Sequence, residues 1–557
     1  MRTGTRGVLL LALFLGAGCT EEDSGSSRSP PASDPRPTGG ARERARRVDF
    51  HLANYGSWEA PEIDVARRHQ LVVVHPGQPG LTRDLVSSIQ RGVDPNDPSD
   101  DVLVLGYLSI GEDLRMRGLT DEQMAADPRF RGDGSGPRVD PRGPDADGQP
   151  LAGIDPQGAP SPGGAGFASW YLDDNDLDGK PDRNRHFGGA FVNAGDSRWF
   201  QVMQDMTLDG ADRLAGIREI LTTQYGRGLG CDGLFLDTVD TCAPNRFTDP
   251  ASSNPSEFEW TAPGFAGMIR RLRHLHPNAV LLQNRGLFLF DPRYPQYAVT
   301  TRGTVDLVLF ESLRLNSNAF EEYSPYFYPD NRYNVAPKLM AEANRPDGFR
   351  VLSLGYAEGP PDRMSTATLT GGSTLGLESL LEDIRVAQEQ GFRHYLTDGD
   401  IQIVNAFVLD HARLEDREPP RWSSTYNTHN PGYPAAPGAP DPRIGIQEVE
   451  PGASQMTVRW DVALDLSPVQ YVLYVQPGSF DFDADPHLRN ARRVELVPRP
   501  GRGYGTGTGV GPSLYPYEAT VEGLDPGRSY AFVIRAVDIS PARNEEMNRE
   551  VRVGTPR

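Results

Sequence analysis

Positive charge is scarce in this 557-residue chain. Its 76 Asp and Glu outnumber 56 Lys and Arg, giving a net charge of -20, and lysine itself occurs only at Lys180 and Lys338. Without a basic field the chain lacks what holds a phosphate backbone, which argues against nucleic acid as a partner. The preference for Arg over Lys is uniform and is read as genome composition, not as a site. Cysteine is nearly missing: there are three, and no Cys/His spacing suggests zinc. Cys231 and Cys242 flank an extended segment. Five or six extended residues at about 3.3 Å each hold them too far apart for a disulfide, so two buried free thiols are expected. The apolar run near the start, Val8 to Leu15, is too short to cross a bilayer. No Gly-rich dinucleotide fingerprint follows the first extended segment, and no GxSxG nucleophile elbow is found at a strand end.

Glycine and proline are abundant, at 60 and 49 residues, which implies many loops and at least one disordered stretch. The length calls for two or three domains. Arg2 and Arg6 precede the short apolar run, and Gly16-Ala17-Gly18 leads into Cys19, so the segment reads as an export signal. It resembles a bacterial lipoprotein cleavage box, with Leu15 one place further back than usual. That resemblance implies a signal peptide over 1–18, a lipid on Cys19, and a bacterial cell-envelope location at the outer membrane or cell surface. Residues 19–45, rich in Ser, Pro, Gly and charge, read as a tether. A second Pro-rich stretch over 413–442 marks a boundary between a domain at 46–412 and one at 443–557.

Within 46–412, short apolar runs alternate with helical patterns. The extended candidates are VDFHLANY (48–55), LVVVH (71–75), VLVLGYLS (102–109), AFVN (190–193), GLFLD (233–237), VLLQN (280–284), VDLVLF (305–310), VLSLGY (351–356) and HYLT (394–397). Most are continuous in Val and Leu, as strands buried on both faces are. Between them lie helical patterns. FAGMIRRLRHLHP (265–277) puts Phe265, Met268, Ile269, Leu272 and Leu275 on one stripe, and LESLLEDIRVAQEQ (377–390) stops at Gly391. The alternation predicts an α/β fold, a (β/α)8 TIM barrel with a long insertion loop over 119–189. Nine candidates compete for eight places, and AFVN or HYLT lies outside the barrel.

Catalytic groups of such a barrel project from the C-terminal strand ends. Here those ends carry Glu112, Asp237 and Asp240, Gln283 and Asn284, Glu311, and Tyr356 and Glu358. Two carboxylates from different strands are what glycoside hydrolysis needs, one to protonate the leaving oxygen and one to attack or to activate water. YLSIGE (107–112), CDGLFLDTVD (231–240), VLLQNRG (280–286) and LFES (309–312) resemble, in order, glycoside hydrolase family 114, the endo-α-1,4-polygalactosaminidases, over about residues 46–412. The resemblance implies an enzyme cleaving cationic galactosamine-containing polysaccharide with retention. Asp237 would be its nucleophile and Glu311 its general acid/base. Tyr107, Glu112, Asp240, Asn284 and Tyr356 would line the sugar subsite, with no cofactor for catalysis. The chain departs from the family after YLSIGE, where DLRMRG replaces a further acid and a Tyr-Arg pair. A non-catalytic glycan-binding surface lipoprotein, or a glycosidase of different sugar specificity, are the alternatives.

The insertion loop contains DNDLDGKPD, which spaces Asp174, Asp176, Asp178 and Asp182 around Gly179. Alternate oxygen ligands followed by a turning Gly are what a structural calcium loop supplies. The nearby Trp170 and Tyr171 either stack on sugar or anchor the loop.

Residues 443–557 alternate with period two through MTVRWDV, YVLYV, EATVEGL and YAFVIRAVD, the pattern of an all-β sandwich. LDPGRSYAFVIRAVD (524–538) resembles the fibronectin type III signature. That resemblance implies a tyrosine corner at Tyr530, a core cap at Leu524 and a core Trp at Trp460. The module is expected to act as a spacer or weak contact surface, and the protein as a monomer.

Overall fold

Eight short segments, most of them rich in Val and Leu, assemble into one parallel sheet whose strands follow chain order. They are β1 (His51–Asn54), β2 (Leu71–Val74), β3 (Leu103–Ser109), β4 (Gly233–Asp237), β5 (Val280–Asn284), β6 (Leu307–Glu311), β7 (Arg350–Tyr356) and β8 (Arg393–Thr397). Every neighbouring pair is parallel. The sheet curls until β8 meets β1. The rings of His51 and Tyr395 lie 5.9 Å apart, and Arg393 of β8 reaches Asp49, just before β1, at 2.7 Å. A computed structural model describes residues 40–141, 157–164, 166–185, 187–244, 258–314, 330–356, 383–384, 386–397, 401–402, 404, 419–422, 444–460, 463–465, 469–496, 499–500, 517–538 and 542–557. Cys19, the signal segment, Glu358, most of the tether and most of the Pro-rich linker fall outside the described residues.

Strand burial follows from composition. β2 and β5 are buried at every position, because helices cover one face and facing strands the other. The covering helices include Ala60–Arg67, Arg83–Gln90, Ser197–Asp205, Ala262–Leu275 and Ala336–Ala343. Ala262–Leu275 buries Phe265, Met268, Ile269 and Leu272 as the periodicity predicts. Leu275 departs from that stripe and is exposed, because it is the last residue before the chain turns into His276 and Pro277. Gly391 ends the helical segment before β8 with φ +76°.

Of the nine candidate strands, AFVN is the outsider. Ala190–Phe191 pairs antiparallel with Glu112–Asp113 beyond the end of β3. Residues 40–45 are helical and not tether: Ala41 and Ala45 are buried in the barrel's core, and Arg42 donates to Asp306 at 2.9 Å. Asp306 is fully buried and also accepts from Arg273 at 2.6 Å and from the Leu281 N–H at 3.1 Å. Asp306→Ala strips two guanidinium groups of their shared counter-charge. Breaking a buried pair this way costs about 3–5 kcal/mol, and that loss is expected in the barrel's denaturant transition.

Trp170 and Tyr171 anchor the insertion loop. Both are buried, and the Tyr171 hydroxyl donates to Asp113 at 2.7 Å. Asp113 in turn holds Arg115 at 2.7 Å, so DLRMRG serves packing here. Cys231 and Cys242 are free and buried.

The C-terminal residues form two antiparallel sheets. One orders β9 (Ile446–Gly452), β10 (Gln455–Trp460), β14 (Tyr517–Glu522) and β13 (Arg499–Pro500). The other orders β12 (Arg492–Leu496), β11 (Val469–Pro477), β15 (Tyr530–Asp538) and β16 (Arg552–Gly554). Met456, Val458, Trp460 and Val521 of the first share a core with Tyr471, Leu473, Phe532 and Ile534 of the second, which makes a sandwich. Leu524 joins that core, and the Tyr530 hydroxyl accepts from the Asp525 N–H at 3.1 Å.

Candidate active site

Four barrel strands end on a side chain that faces the same point. Asp237 ends β4, Asn284 β5, Glu311 β6 and Tyr356 β7, and Tyr107 stands two residues before the end of β3. The Asn284 amide is the centre of the group. Its nitrogen donates to Asp237 Oδ1 at 2.8 Å and to Glu311 Oε2 at 2.5 Å, so these two oxygens stand no more than about 5.3 Å apart. The Tyr107 hydroxyl donates to Asp237 Oδ2 at 2.7 Å, and the Tyr356 hydroxyl to Glu311 Oε1 at 2.5 Å. Each carboxylate oxygen therefore has one fixed donor, and these neutral donors orient the pair.

The backbone behind each group is sharply turned. Thr238, Arg285 and Ser312, the residues after Asp237, Asn284 and Glu311, all have left-handed φ, at 62°, 51° and 58°. For a β-branched Thr this conformation costs on the order of 1–2 kcal/mol. Local bonds hold it: the Thr238 hydroxyl accepts from the Gly111 N–H at 2.8 Å and donates to the Asp237 carbonyl at 2.6 Å. Gly111 is needed there, because a Cβ would fall 2.2 Å from the Thr238 carbonyl oxygen. Arg285 ties the next two turns together, donating to Asp240 at 2.6 Å and to the Glu311 carbonyl at 2.7 Å. Asp240 accepts from Arg285 and from the Gly286 N–H, which braces the rim at the turn after Asp237.

Burial sets the electrostatics. Burial and the charge of Asp237 push the Glu311 carboxyl above the ordinary carboxylate range, against the hydrogen bonds of Tyr356 and Asn284. Glu112 is buried and pushed up to about 7, mainly by burial and in part by Asp237, while the hydrogen bond from Asn184 opposes. One of its oxygens accepts from Asn184 at 2.7 Å; Oε2 is buried with no hydrogen-bond partner among the described residues. Tyr55 is also pushed well up by burial and by both Asp237 and Glu311, so its hydroxyl stays protonated. His75, stacked on Tyr107 at 5.1 Å, is lowered to about 4 by burial and Arg117 and is neutral. A cleft is lined by His75, Tyr107, Glu112, Leu114, Trp199 and Leu214, and Tyr107, which bonds Asp237, connects it to the pair.

Sequence patterns missed Tyr55, Asn184, Thr238 and Arg285, whose roles come from contacts with distant residues. Ser353, His394 and Asp383 form a bonded line, at 2.9 and 2.8 Å, that resembles a hydrolase triad. Ser353 and Asp383 are fully buried, and the line braces β7 against β8. Of the four loop aspartates, Asp176 and Asp182 converge with Asp173. Asp174 instead bonds the Trp260 indole at 2.8 Å and Asp178 pairs with Lys180 at 2.7 Å.

No protein-family model matches the chain, and no curated protein does. Among solved structures, the glycoside hydrolase domain of PelA from Pseudomonas aeruginosa is 14% identical over 64% of this chain and 97% of its own, with a TM-score of 0.36. The Legionella pneumophila ChiA C-terminal domain is 13% identical over 61% and 82%, with a TM-score of 0.28. A Cellulomonas fimi endo-β-1,4-mannanase double mutant is 9% identical over 93% and 95%, with a TM-score of 0.26. These are faint likenesses, and the barrel rests on its own strand order.

Proposed function

We propose that this chain is an exported, lipid-anchored glycoside hydrolase that cleaves α-1,4-linked galactosamine-containing polysaccharide internally and with retention. The observation that carries the reading is the single Asn284 amide bonded to both Asp237 and Glu311. A separation of about 5–5.5 Å suits a carboxylate that attacks directly, whereas inversion needs room for a water at about 6.5–9.5 Å. Asp237 forms a bond to the anomeric carbon as the bond to the leaving oxygen breaks, and Glu311 gives that oxygen its proton. Water then attacks the glycosyl ester; Glu311 takes the water's proton, and Asp237 leaves as the carboxylate. The raised affinity of Glu311 for its proton suits the first step. The barrel-motif resemblance supports galactosamine, and the acid-rich rim of Asp237, Glu311 and Glu112 suits a cationic sugar. The C-terminal sandwich serves as a fibronectin type III spacer.

The test is incubation with partially deacetylated galactosamine polymer, with product sizes by mass spectrometry and the first-formed anomer by NMR. Short oligomers with a first-formed α-anomer are expected. Binding without products would leave a glycan-binding protein; cleavage of neutral glycans alone would move the specificity elsewhere.

The pH dependence follows from the same groups. Activity falls on the alkaline side as Glu311 loses its proton, at a higher pH than an ordinary carboxyl would give. Glu112 gains charge as pH rises through about 7, so KM for a permanently cationic, N-trimethylated polymer is expected to fall there while KM for a neutral analogue stays level. Steady-state kinetics across this range measures both.

A further inference from the structure

The aspartate loop takes no part in the reaction above, yet it holds a buried carboxylate oxygen with no hydrogen-bond partner among the described residues. Asp173, Asp176 and Asp182 each place one carboxylate oxygen within 4.8 Å of the others. Asp173 is fully buried. Its Oδ2 accepts from the Ser161 hydroxyl at 2.5 Å and the Gly179 N–H at 2.9 Å, while its Oδ1 is buried with no hydrogen-bond partner among the described residues. A buried anionic oxygen of this kind is stable only when neutralised. Lys180, the lysine of this loop, is turned to Asp178 instead.

We propose that Asp173, Asp176 and Asp182 hold a calcium ion. Two oxygens on one Ca²⁺, each at about 2.3–2.6 Å, stand at most about 5 Å apart, which the three carboxylates satisfy. An all-oxygen donor set selects a hard cation. Ca²⁺ accepts an irregular set completed by water or carbonyls, whereas Mg²⁺ demands near-octahedral geometry.

The ion site is wired to the barrel rim. The Asp182 carbonyl accepts from the Phe191 N–H at 2.9 Å, and Phe191 is the residue paired with Glu112. Two residues beyond Asp182, Asn184 donates to Glu112 at 2.7 Å. Calcium thus fixes the segment that positions Glu112. Its effect on catalysis rests on the reading of Glu112 as substrate-facing; the ion site does not.

The full chain, stripped with EDTA, is titrated with Ca²⁺ by calorimetry and with Tb³⁺ by luminescence excited through tryptophan, Trp260 being bonded to the neighbouring Asp174. One saturable Ca²⁺ per chain is expected, displaceable by Tb³⁺ and not by equal Mg²⁺. Asp176 is exposed, so Asp176→Asn tests the site without endangering the fold. Asp176→Asn and Asp173→Asn are expected to weaken binding at least about tenfold, and Asp178→Asn less than about twofold. Calcium is also expected to slow hydrogen exchange at the Asn184 and Phe191 amides about tenfold or more. No saturable binding by about 10 mM Ca²⁺, or equal losses in Asp178→Asn and Asp176→Asn, would overturn the site. Unchanged exchange at Asn184 and Phe191 would overturn the link to Glu112. None of these readouts depends on hydrolysis, so they stand apart from the fate of the enzymatic reading.

Discussion

Asp237→Asn is expected to keep the native fold and lose about 10⁴-fold in turnover, and Glu311→Gln about 10³-fold on the natural polymer. Both changes are nearly isosteric. Each replaces one carboxylate oxygen of a group whose two oxygens are already held by neutral donors, Tyr107 and Asn284 for Asp237, Tyr356 and Asn284 for Glu311. Thermal unfolding is therefore expected to move little while turnover collapses. The two losses differ in kind. Without its nucleophile the enzyme cannot form the glycosyl ester from any substrate. Without its acid it still forms the ester when the leaving group needs no proton, so Glu311→Gln should recover much of its ester-forming rate on an activated aryl glycoside. Added azide should then give a product of retained configuration. Equal loss on both substrate types in Glu311→Gln would deny Glu311 the acid role. Wild-type turnover in Asp237→Asn would remove the nucleophile.

What the sequence made legible is what local pattern controls. The barrel strands stand out because burial on both faces demands unbroken Val and Leu, as in LVVV and VLLQN. The chemistry stands out because a polar residue closing such a run must lie at the sheet's rim, as Asp237, Asn284 and Glu311 do. AFVN read equally well as a strand because four apolar residues carry too little periodicity to separate a barrel strand from a two-residue bridge. Residues 40–45 looked like tether by composition, and only the partners Asp306 and Pro277, more than two hundred residues away, make them part of the barrel. Asn184 and Arg285 were invisible for the same reason.

The loop aspartates show a different limit. Alternation assigns Asp174, Asp176, Asp178 and Asp182 to one ion. Leu177 adopts a left-handed φ of 58° and Gly179 one of 82°, which breaks the alternation. The turn directs Asp178 to Lys180 and leaves Asp173, outside the motif, beside Asp176 and Asp182. A residue with positive φ that is not Gly gives no compositional warning. The same holds at Thr238, Arg285 and Ser312, where side-chain and backbone bonds sustain the turn that a glycine would have advertised.

Asn284→Ala separates the geometry of the pair from its mere presence. The substitution leaves both carboxyls in place and removes the one donor they share. Two consequences follow from physics alone. Asp237 keeps only the Tyr107 bond and is free to rotate about it, so the attacking oxygen is no longer fixed; loss of one preorganised donor costs about 10²–10³ in kcat. Glu311 loses a bond that favours its charged form, while burial and Asp237 still favour the protonated one. Its proton is therefore held to higher pH, and the alkaline limb of kcat/KM should move upward. A purely structural role for Asn284 predicts the rate loss without that movement, together with a lowered unfolding temperature. The pH–rate profile of the variant beside its melting curve decides between them: a slowed enzyme whose alkaline limb stays where the wild type has it would show that Asn284 packs the rim and does not tune the acid.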